Sequence, residues 1–107
     1  MVKRGANVNF VVKSGMTLLL WAAERNETEL CKDIIAAGAK INAENYGGET
    51  ALMFAAKNKN AELCKALIKA GADVNARNNR GLTALYYANL YRATEISRML
   101  EDAGAKV

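Results

Sequence analysis

Apolar and polar positions follow one another along the chain in blocks that return every 33 residues. The block ALMFAAKN, residues 51–58, precedes a polar turn and the block AELCKALIKA, residues 61–70. In the second block Leu63, Leu67 and Ile68 are spaced by four and then one, which places them on one stripe of a helix with lysine and glutamate opposite. The pattern therefore predicts two short helices in each period, and a fixed period of this length predicts stacked units.

Glycine and threonine mark the predicted ends of these helices. A glycine follows each second helix, where a left-handed backbone costs glycine little and other residues about 1–2 kcal/mol; these are Gly5, Gly38, Gly71 and Gly104. A Gly-x-Thr motif opens each period, and a threonine hydroxyl suits an N-cap; these are Thr17, Thr50 and Thr83. The A-x-V/I-N-A segment after each second helix is expected to project as a hairpin-like finger.

Alignment on the glycines divides the chain into units 12–44, 45–77 and 78–107, preceded by residues 1–11, which match only the tail of a further unit. The first two full units share 15 of 33 residues, more than chance supplies. In the last unit Ser97, Glu101 and Asp102 make the second helix more polar, as a terminal cap requires. We expect residues 1–107 to form a single domain in which the last unit is the C-terminal cap.

The first helix of each unit carries small and aromatic residues at repeated positions. Alanine pairs such as Ala55–Ala56 allow a neighbouring helix to approach to about 8–10 Å. Trp21, Phe54 and Tyr87 recur at one position next to these alanines, so we interpret them as core between units rather than as an aromatic binding ladder.

These features together are similar to the ankyrin repeat, and the resemblance covers essentially the whole chain. The middle unit reads GETALMFAA, ELCKALI and GADVNA, against the family pattern G-x-T-P-L-H-x-A-A, E-V/I-V-x-x-L-L and G-A-D-V-N-A. The resemblance implies an all-α solenoid of stacked helix-turn-helix units with projecting β-hairpin-like fingers. It also implies a protein that binds other proteins on the concave face formed by the fingers and first helices, without catalysis and without a cofactor.

The chain departs from the family pattern at two positions of the T-P-L-H motif. Leucine or alanine replaces the proline, and Leu20, Met53 and Tyr86 replace the histidine. In the family this histidine ties neighbouring turns together through hydrogen bonds. Its loss predicts that the units of this chain rely more on packing.

Charge and hydropathy exclude several classes of function. The net charge is +4, but Lys and Arg are scattered among Asp and Glu without the cluster that a phosphate-binding stripe needs, so we expect no nucleic-acid binding. No apolar run of about 18 residues indicates a membrane span, and no signal peptide follows Lys3 and Arg4. We expect a cytoplasmic protein, or one in the cytosol of a host if it is exported. Because we identify no signal peptide, we discount the glycosylation sequon at Asn26.

The candidate reactive groups do not form a site that the sequence can identify. The chain has no histidine, so no serine or cysteine has a general base, and a zinc site would depend on Cys31, Cys64 and carboxylates alone. The two thiols share one repeat position, which sets them about one helix spacing apart, beyond the reach of a disulfide. We interpret them as buried free thiols and expect no enzyme activity, no metal and no cofactor.

Asn42 and Asn75 occupy the finger position at which ankyrin proteins can be hydroxylated. We favour a structural role for them, in which side-chain hydrogen bonds brace the turn of the finger.

The resemblance implies partner contacts at the finger tips and on the exposed side of the first helices. Side chains at these positions differ from unit to unit, so the repeat itself does not require them, and several are of the types that anchor interfaces. The predicted partner-binding residues are Lys13, Met16, Glu24, Arg25, Tyr46, Glu49, Lys57, Asn58, Asn79, Arg80, Leu82, Leu90 and Tyr91.

Three alternatives to a complete partner-binding protein stay open at this point. The chain is a fragment of a longer array, or it associates with itself through the apolar face around Leu18–Trp21, or it is a regulatory segment of a larger enzyme. An apolar face of this kind marks either an interaction site or an aggregation risk.

Overall fold

Six short α-helices form three successive pairs in the computed structural model, which describes residue 11 and residues 15–106. The helices are α1 (Leu18–Glu24), α2 (Thr28–Ala36), α3 (Ala51–Lys57), α4 (Ala61–Lys69), α5 (Ala84–Leu90) and α6 (Thr94–Asp102). The predicted all-α class and the pairing of helices are confirmed. None of the helices in this part of the chain has the length and apolar character needed to cross a membrane.

Threonine begins the first helix of every pair, as predicted. The hydroxyl oxygens of Thr17, Thr50 and Thr83 accept hydrogen bonds from the backbone N–H three residues later, at 3.2, 3.3 and 3.1 Å. Each bond satisfies an amide of the first turn that has no partner within the helix. The second helix of the middle pair uses Asn60 in the same way, accepting from the N–H of Leu63 at 3.0 Å.

Glycine ends the second helix of every pair. Gly38, Gly71 and Gly104 have φ angles of 94°, 102° and 101°, the left-handed region in which glycine has no steric penalty. The turn between the two helices of a pair also passes through this region, but with residues other than glycine. These are Asn26, Lys59 and Arg92, at 62°, 56° and 57°.

The helices stack in two rows. The first helices form one row, in which α3 packs between α1 and α5, and the second helices form another, in which α4 lies between α2 and α6. Ala22, Ala23, Ala55 and Ala56 are fully buried, so the alanine pairs lie where the neighbouring helix comes close. The described chain measures 36 × 25 × 21 Å, consistent with a linear stack of three helix pairs.

The core follows the repeated apolar positions with one exception. Leu63 and Leu67 are fully buried, and Phe54 and Tyr87 are buried as predicted. Trp21 is 38% exposed, so its assignment to the core is wrong. The rings of Phe54 and Tyr87 each have a preceding first helix to pack against, whereas no first helix precedes α1 among residues 15–106.

A finger with hairpin-like hydrogen bonding precedes each first helix. Glu44 pairs with Thr50 and Val11 with Thr17 in isolated antiparallel bridges. In the third finger the N–H of Asn78 donates to the carbonyl of Leu82 at 2.9 Å. The predicted fingers are therefore confirmed, and each carries its chain back towards the first helix that follows.

Polar cross-links between helix pairs are present, and asparagine side chains make them. The prediction of a greater reliance on packing stays a prediction. Asn58 Nδ2 donates to the carbonyls of Ala23 and Glu24 at 3.0 and 3.3 Å. Asn60 Nδ2 donates to Asn26 Oδ1 and Thr28 Oγ1 at 2.8 and 2.6 Å, bridging the turns of two neighbouring pairs.

Asn42 and Asn75 also bond across to the next repeat instead of bracing their own turns. Asn75 Nδ2 donates to the carbonyl of Gly104 at 3.1 Å, and its Oδ1 accepts from the N–H of Lys106 at 2.9 Å. Asn42 makes the matching pair of bonds one repeat earlier. The expected hydrogen-bonding role is therefore correct, but the bonds hold adjacent repeats in register.

The outer side of α6 is polar, as the sequence predicts. Glu101 and Asp102 are exposed, and the half-buried hydroxyl of Ser97 donates to Asn89 Oδ1 at 2.6 Å. The unit boundaries and the cap role of the last unit stay predictions.

Candidate partner-binding surface

An asparagine side chain shapes the tip of two fingers. Asn45 Oδ1 accepts from the N–H groups of Gly47 and Glu49 at 2.9 and 3.0 Å. Asn78 Oδ1 does the same for Arg80 and Leu82, at 2.9 and 3.0 Å. Such bonds from a side chain to the backbone two residues later hold a tight turn. Sequence reasoning missed both asparagines, although their spacing of 33 residues was a usable signal.

Neighbouring finger tips are tied to one another. Asn79 Nδ2 donates to the carbonyl of Tyr46 at 2.8 Å, and the N–H of Asn79 donates to the carbonyl of Gly47 at 2.9 Å. The ring of Tyr46 lies over Gly15, where a Cβ atom would approach Tyr46 Cδ1 to 2.7 Å. Tyr46 is nevertheless 76% exposed, so the turn presents most of this ring to solvent.

The second finger folds back over the end of its own first helix. Glu49, in the finger, forms an ion pair with Lys57 at the end of α3. The ammonium of Lys57 also lies 5.1 Å from the ring centroid of Phe54 and 4.6 Å from that of Tyr87. Partial burial alone raises the pKa of Glu49, but hydrogen bonds from Lys57 and Asn45 and the charges of Lys57 and Arg80 lower it overall.

The same two repeat positions carry leucines in the third helix pair. Leu82 and Leu90 stand 33 residues after Glu49 and Lys57. They line a groove of about 530 Å³ together with Arg77, Tyr86 and Asn89. No ion pair to Arg77 is present among residues 15–106. The groove therefore combines leucine and tyrosine side chains with an arginine.

The first helix pair presents a third variant of this region. The guanidinium of Arg25 lies 5.1 Å from the ring centroid of Trp21, and Arg25 Nε is 3.7 Å from a carboxylate oxygen of Glu27. Glu24, the counterpart of Lys57 and Leu90, is exposed. Acidic, basic and apolar side chains thus alternate along one surface made by finger tips and helix ends.

The structure sorts the predicted contact residues into three groups. The exposed ones are Glu24, Arg25, Tyr46, Asn58, Asn79, Arg80, Leu90 and Tyr91. The side-chain amides of Asn58 and Asn79 already donate hydrogen bonds to backbone carbonyls. Glu49, Lys57 and Leu82 are half-buried. Lys13 lies outside the described residues.

Met16 does not have the exposed position that was expected of it. Its exposed fraction is 9%, and Asn45 Nδ2 lies 3.4 Å from its sulfur atom. The second finger covers this part of the first, so the prediction of an accessible side chain at Met16 is wrong. As a direct contact with a partner it remains untested, but it offers little surface.

The family model for ankyrin repeats in three copies matches residues 1–78 and 19–107. The chain belongs to the ankyrin repeat family. Ankyrin repeats are generally protein–protein interaction modules and are typically non-catalytic. A search of curated proteins gave no match.

Three residues of the third ankyrin repeat belong to the groove but were absent from the predicted set. They are Arg77, Tyr86 and Asn89. Alignment by 33 residues places Tyr86 at the position of Met53 and Leu20, which are both buried against a following first helix. Tyr86 is exposed because no first helix follows α5 among residues 15–106. Comparison of the three repeats at this position could have indicated the groove.

The cysteines of the ankyrin repeats lie inside the stack. Cys31 and Cys64 are free and fully buried. Burial, with a smaller contribution from Glu27, raises the pKa of Cys31 to about 11, and burial raises the pKa of Cys64 to about 12. Both thiols are therefore protonated near neutral pH and poor nucleophiles. Among residues 15–106 no cluster of three or more cysteine or carboxylate side chains could hold a metal ion.

Proposed function

We propose that this ankyrin repeat chain binds a partner protein on the surface formed by the finger tips and the C-terminal ends of α1, α3 and α5. One observation carries the proposal. Side chains on this surface that differ from repeat to repeat are exposed, among them Tyr46, Arg80 and Tyr91, whereas a position such as that of Leu19, Leu52 and Leu85 keeps one residue type and is buried. Variation that the fold does not require is available for recognition of a partner.

Contacts between fingers and helices support a continuous surface. The ion pair of Glu49 with Lys57, and the shared groove of Leu82 with Leu90, join each finger to the end of its own helix. The hydrogen bond from Asn79 to Tyr46 joins one finger to the next. These bonds limit the conformations that would have to be lost on binding, which favours affinity. The longest dimension of 36 Å accommodates an interface of about 800 Å² on each partner.

The chemistry of the surface suggests what its partner presents. Leu82, Tyr86 and Leu90 favour a bulky apolar side chain in the groove of the third repeat. Arg77 at the groove and Arg80 at the neighbouring tip are without an ion pair among residues 15–106, so they favour a carboxylate next to that side chain. In the middle repeat, Glu49 and Lys57 neutralise each other, which leaves Tyr46 as the main anchor there.

The experiment begins with affinity capture from cell lysate and identification of retained proteins by mass spectrometry. Binding of the purified partner is then measured for the wild type and for Tyr46→Ala combined with Arg80→Ala. Because both side chains are exposed, the double variant is expected to fold normally and to bind at least about five-fold more weakly, equivalent to about 1 kcal/mol or more for a true anchor.

The matched control is Lys65→Ala, which changes an exposed side chain on α4 away from the finger tips. It is expected to leave affinity unchanged. Equal affinity of the wild type and the Tyr46→Ala, Arg80→Ala variant would dismiss this surface as the binding site.

A further inference from the structure

The two ends of the helix stack carry side chains that complement each other. The N-terminal end face consists of Trp21, Arg25, Glu27 and Glu29, and the C-terminal end face consists of Leu90, Arg92, Thr94 and Arg98. We propose that a second copy of this chain stacks head to tail, with the N-terminal end face of one copy on the C-terminal end face of the other. The inference is drawn from contacts between helix pairs and not from the partner surface proposed above, with which it shares Leu90.

An ion pair between helix pairs gives the first part of the argument. Lys32 of the first pair bonds Glu62 of the second. Arg98 occupies the position of Lys32 in the third pair, and Glu29 occupies the position of Glu62 in the first pair. A contact between copies would therefore again place a cation opposite an anion. Glu29 Oε2 lies 3.7 Å from Lys32 Nζ of its own pair, but the Glu29 side chain is 85% exposed, and Arg98 forms no ion pair within residues 15–106. Both groups are therefore accessible to a second copy.

The turns between helices give the second part. Asn60 reaches across to Asn26 and Thr28 of the preceding pair. Glu27 occupies the position of Asn60 in the first pair. Arg92 and Thr94 occupy the positions of Asn26 and Thr28 in the third pair and would lie opposite Glu27 of a second copy. An amide–amide hydrogen bond inside the chain thus becomes a carboxylate–guanidinium pair with a hydroxyl beside it, which is the stronger interaction.

The first helices give the third part. Lys57 of one pair covers the ring of Tyr87 in the next, 4.6 Å from its centroid. Leu90 occupies the position of Lys57 in the third pair and is 54% exposed. Trp21 occupies the position of Tyr87 in the first pair and is 38% exposed. An exposed leucine opposite an exposed indole would bury apolar surface on both copies.

Backbone carbonyls next to these side chains complete the match. Asn58 donates to the carbonyls of Ala23 and Glu24 in the preceding pair. Arg25 occupies the position of Asn58 in the first pair and carries several N–H donors. Asn89 and Leu90 occupy the positions of Ala23 and Glu24 in the third pair, so their carbonyls would be the acceptors in the other copy. Each contact considered therefore finds compatible chemistry when the internal interface is continued into a second copy.

The contact is of the heterologous kind, because it joins two different faces and leaves one of each free. Copies joined in this way form open chains rather than closed dimers unless the rotation returns to its start.

Sedimentation velocity on the full chain, from low to high micromolar concentration, tests the proposal. The sedimentation coefficient is expected to rise continuously rather than to level off at a dimer. Trp21 is the only tryptophan, so its fluorescence emission should shift to shorter wavelength over the same range as Leu90 excludes water from the indole. Leu90→Asp is expected to weaken association at least about ten-fold and to remove the fluorescence shift.

Tyr46→Asp is the matched control, because it places the same charge on another exposed apolar side chain that lies on neither end face. It should leave association unchanged. Arg98→Glu should weaken association, and the addition of Glu29→Arg in the same chain should restore it, since the charges are then exchanged.

The remaining outcomes overturn the proposal. A monomer throughout the concentration range excludes the contact. A fluorescence shift that survives Leu90→Asp means that the N-terminal end faces pair with each other, and failure of Glu29→Arg to rescue Arg98→Glu contradicts the proposed pairing. Circular dichroism of every variant establishes that the helices are retained.

Discussion

Asn42 holds the backbone of Asp73 across the boundary between two ankyrin repeats. Its Oδ1 accepts from the N–H of Asp73 at 2.7 Å, while its Nδ2 donates to the carbonyl of Gly71 at 3.2 Å. The two bonds use both ends of one amide group, so aspartate or alanine at this position could not replace them. The finger asparagine therefore keeps adjacent repeats at a fixed spacing.

Asn42→Ala is expected to lower the free energy of unfolding by about 1–2 kcal/mol, because two hydrogen bonds to backbone are lost. Urea unfolding followed by circular dichroism measures the change. Asn75→Ala removes the equivalent bonds to Gly104 and Lys106, which lead to no further helix pair among residues 15–106. It should cost less than half as much. Equal losses for the two variants would show that the bonds do not act by joining repeats.

The turns between the helices of each pair offer a route to higher stability. Lys59 and Arg92 occupy the left-handed region, which is unfavourable for residues with a Cβ atom. Lys59→Gly and Arg92→Gly should each raise the free energy of unfolding by about 0.5–1 kcal/mol, after allowance for the greater freedom of glycine in the unfolded chain.

Asn26→Gly is the control for these two variants. Asparagine tolerates the left-handed region better than lysine or arginine, and Asn26 Oδ1 accepts a hydrogen bond from Asn60 that glycine would lose. This variant should bring no gain. A stabilisation as large as that of Lys59→Gly would point to a cause other than the backbone conformation.

The features that could be predicted from the sequence are those with a local cause. The N-cap threonines, the glycines after the second helices and the stripe of Leu63 and Leu67 depend on residues within one repeat. Their positions were predicted correctly because helix periodicity and turn chemistry operate over a few residues.

The features that were missed depend on neighbours from another repeat. Met16 has no local signal for burial, since it is the finger of the next repeat that covers it. Trp21 occupies the same position as Phe54, and only the absence of a preceding first helix among the described residues separates them. Lys59 and Arg92 have no intrinsic preference for the left-handed region, so the connection between packed helices imposes it.

The thiols are expected to react only when the stack opens. The pKa values of about 11 for Cys31 and about 12 for Cys64 reduce the thiolate fraction at pH 8 roughly 100-fold and 1,000-fold relative to the ordinary pKa of 9.0. Labelling with a chromogenic disulfide reagent should therefore be at least about 100-fold slower in the native protein than in urea. Single-cysteine variants, Cys31→Ala and Cys64→Ala, should show slower labelling of Cys64. Rapid native labelling of either thiol would contradict its burial.

The ion pair of Glu49 with Lys57 should make stability depend on pH. Although burial opposes ionisation, Lys57 and Asn45 stabilise the carboxylate, so the pKa of Glu49 in the folded protein lies below its ordinary value of 4.5. A lowered folded pKa means that the contribution is fully present above pH 4.5 and is lost as the pH falls through the folded value. Glu49→Gln should therefore be less stable than the wild type at pH 6, and the difference should shrink as the pH falls towards 3.

Urea unfolding midpoints at several pH values measure the change. The control is Glu24→Gln, because the carboxylate of Glu24 is exposed and forms no ion pair among residues 15–106. A difference between Glu49→Gln and the wild type that stays constant with pH would mean that charge at this position does not stabilise the fold.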